Sequence, residues 1–138
     1  MRVLLDNDVT LDYVLKRPPA AVEAKEIFER LKRGEIDVFI APITPVNVFY
    51  IVRKLKGKDS AFQAIKDLFK AVKVCTINKG LMQAALKSNF TDYEDAVQHA
   101  CAEAENLDAI VTRNISDYKN AVLPVYSPAQ FLNLLKTP

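Results

Sequence analysis

The residues of this chain that could do chemistry are carboxylates set beside short apolar runs. Asp6 directly follows the run Val3 to Leu5, with Asp8 and Asp12 on the next turn and helix. Asp92, Glu94 and Asp95 open a later helical segment, while Asn114 and Asp117 follow a second apolar run at Ala109 to Val111. A sheet would bring these segments together. Carboxylates held close repel one another and take up protons unless a cation neutralises them, so the set points to a divalent metal. Oxygen-only ligation suits Mg2+ or Mn2+ best. Such an ion activates water and stabilises the charge that develops on a phosphodiester, giving hydrolysis with no protein nucleophile. No His or Cys cluster competes, since His99 is the lone histidine and Cys75 and Cys101 lack metal-type spacing.

Each of these groups also has a structural reading. Asp6 could simply end a strand, but an acid directly after a buried run faces the crevice of a sheet, and the functional reading is preferred. In a first helical turn negative charge is stabilised by the helix dipole, and Glu94 pairs with Thr91 in a capping-box pattern, so capping is its expected role. Asp95 can serve both the dipole and a metal. Asp117 either ligates or merely starts a short helix after Ser116. Asp8 and Asp12 read as local caps or solvated side chains, although Asp8 stands close enough to Asp6 to join a site. His99 lies four residues after Asp95, and a solvent-facing or hydrogen-bonded imidazole is expected there rather than a ligand. The basic run of Arg53, Lys54, Lys56 and Lys58 complements a helix end and could also hold a nucleic-acid backbone. Arg113, beside the acidic set, is the better candidate for meeting a phosphate.

The elements that must position these groups alternate along the chain. Val3 to Leu5 reads as a central strand, followed by a helix from Val9 to Leu15 that Pro18 and Pro19 stop. A second helix carries Ala21, Ala24, Phe28 and Leu31 toward Gly34, and Asp37 to Ala41 is the next strand. Thr44 and Pro45 resemble an N-cap and first residue of a helix reaching Leu55. Its Val48, Phe49, Tyr50, Ile51, Val52 and Leu55 nearly encircle it, which implies deep burial or a second copy of the chain, and a homodimer is expected. Ser60 and Gln63 form a capping-box pattern for a helix to about Val72, and Val72 to Ile77 reads as the third strand. Asn78 caps one further helix, and Thr91 with Glu94 another. Strands at Ala109 to Val111 and Val122 to Tyr126 precede a closing helix begun by Ser127 and Pro128. Strands alternating with helices imply a parallel sheet covered on both faces, with ligands beyond the strands' carboxyl ends.

Composition narrows the class. The 138 residues suit one domain, 1–138, and a 50% apolar and 26% charged chain buries a real core, which excludes disorder. With 19 basic and 17 acidic residues the total charge is too balanced to imply a polyanionic partner by itself. The two cysteines lie in apolar segments and argue against a disulfide framework, which suits a reducing cytoplasm. Neither a leader-like segment nor an apolar run of membrane-spanning length is visible, so a cytoplasmic protein with no membrane partner is expected.

Three segments in this order resemble the PIN-domain family, and more closely the single-domain bacterial branch related to the toxins of VapBC toxin–antitoxin pairs. They are Val3-Leu4-Leu5-Asp6-Asn7-Asp8-Val9 with Leu11-Asp12, then Tyr93-Glu94-Asp95-Ala96-Val97-Gln98, then Ile110-Val111-Thr112-Arg113-Asn114 with Asp117-Tyr118. The resemblance implies a three-layer α/β/α sandwich, Mg2+- or Mn2+-dependent cleavage of RNA, and an antitoxin protein as partner. Asp6 matches the family's first acid and Asp95 its third, while the fourth falls at Asn114 or Asp117. Where many members carry a glutamate early in the third helix this chain has Asn47, and the usual Thr-Asn after the first acid is replaced by Asn7-Asp8. Either Asp8 restores the missing charge or metal binds weakly. The expected ligands are therefore Asp6, Asp95 and Asp117, assisted by Asn47, Asn114 and Asp8, with Arg113, Arg53 and Lys54 toward RNA. Two rivals stand beside this reading. One is a non-catalytic module binding RNA or a partner. The other is a haloacid-dehalogenase-type phosphatase, whose first motif Asp6-Asn7-Asp8-Val9-Thr10 also resembles but whose later paired aspartates are absent from Thr112-Arg113-Asn114.

Overall fold

Strands without polar alternation must be covered on both faces, and the sheet they build here is parallel throughout. The computed structural model describes residues 1–136. Its strands are β1 (Arg2–Leu5), β2 (Asp37–Ile40), β3 (Lys73–Val74), β4 (Ala109–Val111) and β5 (Val125–Tyr126), in the spatial order β3-β2-β1-β4-β5. Seven α-helices connect and flank them among the described residues: α1 (Asn7–Leu15), α2 (Ala21–Lys32), α3 (Ile43–Lys56), α4 (Lys58–Ala71), α5 (Lys79–Leu86), α6 (Tyr93–Ala104) and α7 (Pro128–Lys136). A short 3-10 turn spans Ile115–Tyr118.

Successive strand residues point to opposite faces, so each strand feeds two cores. Val3 and Leu5 of β1, Val38 and Ile40 of β2, and Ala109 and Val111 of β4 pack with Ile27 and Phe28 of α2, Leu68 of α4 and Phe131 of α7. Leu4, Phe39 and Ile110 face the other way, onto Ala85 of α5 and Ala96, Val97 and Cys101 of α6. A third cluster of Leu11, Val48, Val52 and Ala61 binds α1, α3 and α4 to one another. This is the three-layer α/β/α arrangement expected from the sequence. Central β1 pairs with β2 on one side and β4 on the other, so connections diverge at the carboxyl ends of β1 and β4 and open a crevice there.

Local chemistry differs from the sequence reading at three helix starts. Thr44 does not cap α3; the helix begins at Ile43, and the buried Thr44 hydroxyl donates to Asn7 Oδ1 instead. Ser60 and Gln63 form no capping box, because α4 begins at Lys58 after Gly57, whose φ of 93° favours glycine, and Gln63 Nε2 donates to Asp67 Oδ1 at 2.9 Å. Asp92, not Thr91, caps α6 by accepting from the Asp95 N–H at 3.0 Å, which leaves Glu94 uncommitted to its own helix. Asn78 and Ser127 do cap α5 and α7, accepting from the Leu81 and Gln130 N–H groups at 2.9 and 3.1 Å.

The flanking strands β3 and β5 are two residues each, shorter than their apolar runs, since each pairs along one side only. On α3 the buried residues are Thr44, Val48 and Val52, a single stripe, while Val46, Tyr50 and Leu55 stay exposed. Encirclement by apolar side chains thus leaves part of α3 bare rather than sinking it. Both cysteines are buried and free, and among the described residues no helix is long and apolar enough to cross a membrane.

Phe28 is fully buried and stacks on Tyr13, joining α2 to α1 beneath the sheet. Phe28→Ala is expected to lower unfolding free energy by about 3–5 kcal/mol, read as a shifted urea midpoint with little change in slope.

Candidate functional site

The site begins where β1 ends. The Asp6 N–H still bonds the Val111 carbonyl at 3.0 Å, so the Asp6 side chain emerges at the mouth of the β1–β4 pair while capping α1. It is 6% exposed, and three neutral donors hold it: the Asn7 N–H at 2.6 Å and Gln98 Nε2 at 2.9 Å on Oδ1, and Thr112 Oγ at 2.8 Å on Oδ2. Neutral donors stabilise a buried carboxylate without cancelling its charge.

Asp8, one turn of chain later, meets the segment after β4. Its Oδ2 accepts from the Arg113 N–H at 3.2 Å and from Asn114 Nδ2 at 2.9 Å. Its Oδ1 is buried with no hydrogen-bond partner. Burial, then the neighbouring Asp6, pushes the Asp8 carboxyl up to about 6. Asp12, only 2% exposed, is paired with two arginines, Arg17 Nη2 at 2.9 Å and Arg113 Nε at 2.6 Å. One carboxylate thus anchors two half-exposed guanidiniums on the rim and leaves a net positive charge beside the acids.

The opposite wall is the start of α6. Asp95 accepts from the buried Tyr118 hydroxyl at 3.3 Å, and its carboxyl rises to about 7 through burial first, then the charges of Asp6, Asp92 and Asp117. The Tyr118 hydroxyl is in turn held well above its ordinary value by burial and by Asp6 and Asp95. Glu94 turns away from its own helix. Its Oε1 accepts from Asn7 Nδ2 and its Oε2 from Asn47 Nδ2 at 3.3 Å, while Asn7 is itself locked by Thr44.

These side chains line one cleft of about 450 Å³, which gathers Asp6, Asp8, Asp95, Asn47, Asn114 and Arg113 as expected from the sequence. Asp117 is exposed and outside that lining, yet its charge reaches Asp95. Arg53 and Lys54 lie exposed in the last turn of α3, away from the cleft, where they complement the helix end. His99 is buried with Nε2 accepting from the Val122 N–H at 3.0 Å, and burial lowers its pKa, so it is the hydrogen-bonded imidazole rather than a ligand. Asn7, Arg17, Gln98, Thr112 and Tyr118 enter the site without having been singled out for it, and Glu94 enters it although capping was its expected role. For Gln98 a signal exists: a long polar side chain at a core-facing position of α6, between Val97 and Cys101. A larger groove of about 1050 Å³ runs between α2 and α4, but it is walled by Tyr13, Val22, Phe28 and Leu68 with lysines at its rim.

The donor set fits a hard cation. Asp8 Oδ1 is a buried oxygen with no hydrogen-bond partner, and the carboxyls of Asp8 and Asp95 are raised by burial first and then by neighbouring acids, which Arg113 offsets only in part at Asp8. Among the described residues no three His, Cys, Asp or Glu side chains form a ready-made metal group, so a cation here would also draw on amide oxygens and water. The amides are oriented for that: Asn47 and Asn114 turn their N–H groups to Glu94 and Asp8, leaving each Oδ1 available.

A family model described as PIN domain matches residues 2–116. A sequence search of curated proteins finds no match. Solved structures of similar fold include VapBC2 from Rickettsia felis bound to a DNA fragment from their promoter, at TM-score 0.72 and 17% identity over 91% of this chain and 97% of that one. A toxin–antitoxin complex from Klebsiella pneumoniae aligns at TM-score 0.68 and 22% identity, again over 91% and 97%. VapC20 from Mycobacterium tuberculosis, a toxin described as cleaving the sarcin–ricin loop, aligns at TM-score 0.62 and 15% identity over 78% and 86%.

Because the folded-state pKa of Asp95 is raised, its contribution to stability is full below the unfolded value near 3.8 and is lost as pH rises through about 7. Asp95→Asn is therefore expected to raise the melting temperature of the metal-free protein at pH 8, by a few degrees for about 1 kcal/mol. The gain should shrink as pH falls toward 4, as thermal melts across that range would show.

Proposed function

Since the chain belongs to the PIN-domain family, we propose that it is a ribonuclease that hydrolyses RNA phosphodiesters with Mg2+ or Mn2+ and works as the toxin of a toxin–antitoxin pair. The observation that carries this reading is the convergence of Asp6, Asp8 and Asp95 on one cleft at the sheet's switch point, with Asp8 Oδ1 buried and unpaired. The family also sets aside the dehalogenase-type phosphatase alternative. Asp6, Asp8 and Asp95 would hold the ion, with the amide oxygens of Asn47 and Asn114 beside them. When bound, the ion lowers the pKa of water and offsets charge on the phosphoryl oxygens. The chain's own residues do the rest. Gln98 and Thr112 keep the Asp6 carboxylate facing the cleft, and Tyr118 restrains Asp95. Asp117 acts through its charge on Asp95. Arg113, joined by Arg17, presents guanidinium groups already fixed by Asp12, so an RNA phosphate meets donors whose side-chain freedom is already lost.

Its partners follow from its surfaces. The groove between α2 and α4, apolar within and lysine-rich at the rim, suits an amphipathic acidic segment of an antitoxin. Exposed Val46 and Tyr50 of α3 with Phe62 of α4 suit a second copy of the chain, as a homodimer. The chain acts as one domain in the cytoplasm.

A cleavage assay on mixed RNAs tests the activity. With Mg2+ or Mn2+ the wild type should cleave, and Asp6→Asn and Asp95→Asn should each lower the rate on the order of 100-fold or more while circular dichroism stays unchanged. Undiminished cleavage by both variants would remove the mechanism. Arg113→Ala should weaken RNA binding and reduce its salt slope by about 1, as titrations at several salt concentrations would show.

A further inference from the structure

We propose that Glu94 supplies the carboxylate missing at position 47, so that the acidic set around the cation is completed from α6 rather than from α3. The assignment rests on the metal-site reading above and deepens it. A glutamate in the first turn of a helix ordinarily serves the exposed N–H groups of that helix. Glu94 does not, because Asp92 already takes the capping role. Its two oxygens instead reach Asn7 at the start of α1 and Asn47 on α3, across the cleft.

Two elements, α1 and α3, therefore hold one carboxylate of a third, α6. Thr44, fully buried, fixes the Asn7 amide; Asn7 and Asn47 then fix Glu94 from two sides. Both donors are neutral, and among the described residues Glu94 has no salt bridge, so its charge is positioned but not cancelled. That is the same treatment Asp6 receives from Gln98, Thr112 and the Asn7 N–H. A carboxylate needed only as a tether would be equally well replaced by a neutral acceptor. An acid at position 47 would face Glu94 as a like charge, whereas the Asn47 amide donates to it. The asparagine at 47 and the glutamate at 94 are complementary halves of one arrangement, with the charge moved from one wall to the other.

Binding of Mn2+ alone tests this without any turnover, using the electron paramagnetic resonance signal of free Mn2+ and the thermal shift it produces. Glu94→Gln keeps an acceptor for Asn7 and should leave the metal-free melting temperature within about two degrees. It should nevertheless weaken Mn2+ binding about ten-fold or more. Asn47→Glu in the Glu94→Gln background should recover most of the lost affinity by returning a carboxylate from the other wall, which a tether role would not produce. If Glu94→Gln binds Mn2+ as the wild type does while Asp95→Asn does not, the assignment of Glu94 is overturned and the metal site stands. If the double variant stays as weak as Glu94→Gln, Glu94 is a positioning residue and the proposal is likewise overturned. If the wild type itself binds no Mn2+, the metal reading falls, and Glu94 with it.

Discussion

Negative charge gathered at the mouth of a parallel sheet is the constraint on which the rest of this structure depends. At an effective dielectric of about 20, two carboxylates about 5 Å apart repel by about 3 kcal/mol. Hydrogen bonds to a charged group contribute about 1.5–3 kcal/mol each, so the three donors on Asp6 offset its burial. They do nothing about its repulsion from Asp8 and Asp95, whose carboxyls are pushed up by burial first and by neighbouring acids second.

The scaffold is arranged to hold that tension in place. In the β1–β4 pair Leu5 lies opposite Val111, so Asp6 and Thr112 leave adjacent strand ends together. Helix α6 lies against the sheet through Ala96, Val97 and Cys101, which carries its acidic first turn to the same edge and sets Gln98 against Asp6. Leu11, Val48 and Val52 press α3 onto α1, bringing Asn47 within reach of Glu94. Each polar contact of the site therefore rests on an apolar one behind it. Positive charge is gathered at one side, where buried Asp12 pairs with Arg17 and Arg113.

The relatives of known structure share this fold at 15–22% identity. Packing volume and strand order survive such divergence because a core tolerates many apolar substitutions that keep total volume. Charge placement is less forgiving and yet movable. A carboxylate can come from a different helix if the topology brings that helix to the same edge, and here the Asn47 amide on α3 donates to Glu94 on α6.

The fold class and the order of strands and helices along the chain were legible from sequence alone. Short apolar runs alternating with helical patterns imply buried parallel strands, and an acid directly after one falls at the crevice, as Asp6 does. Asp95 and Asn114, from the later two of the three resembling segments, and Asn47, from outside them, line the same cleft as Asp6. What the sequence did not contain was which of several adjacent polar residues turns inward. Thr91 and Asp92 are equally good caps by type, and only the backbone path into α6 selected Asp92 and released Glu94. Thr44 read as a cap because caps are local, whereas its actual partner, Asn7, is 37 residues away. Local rules decide elements, since their hydrogen bonds close within a few residues. The direction of a side chain at a cleft is decided by partners from other elements, and those exist only once the chain has folded.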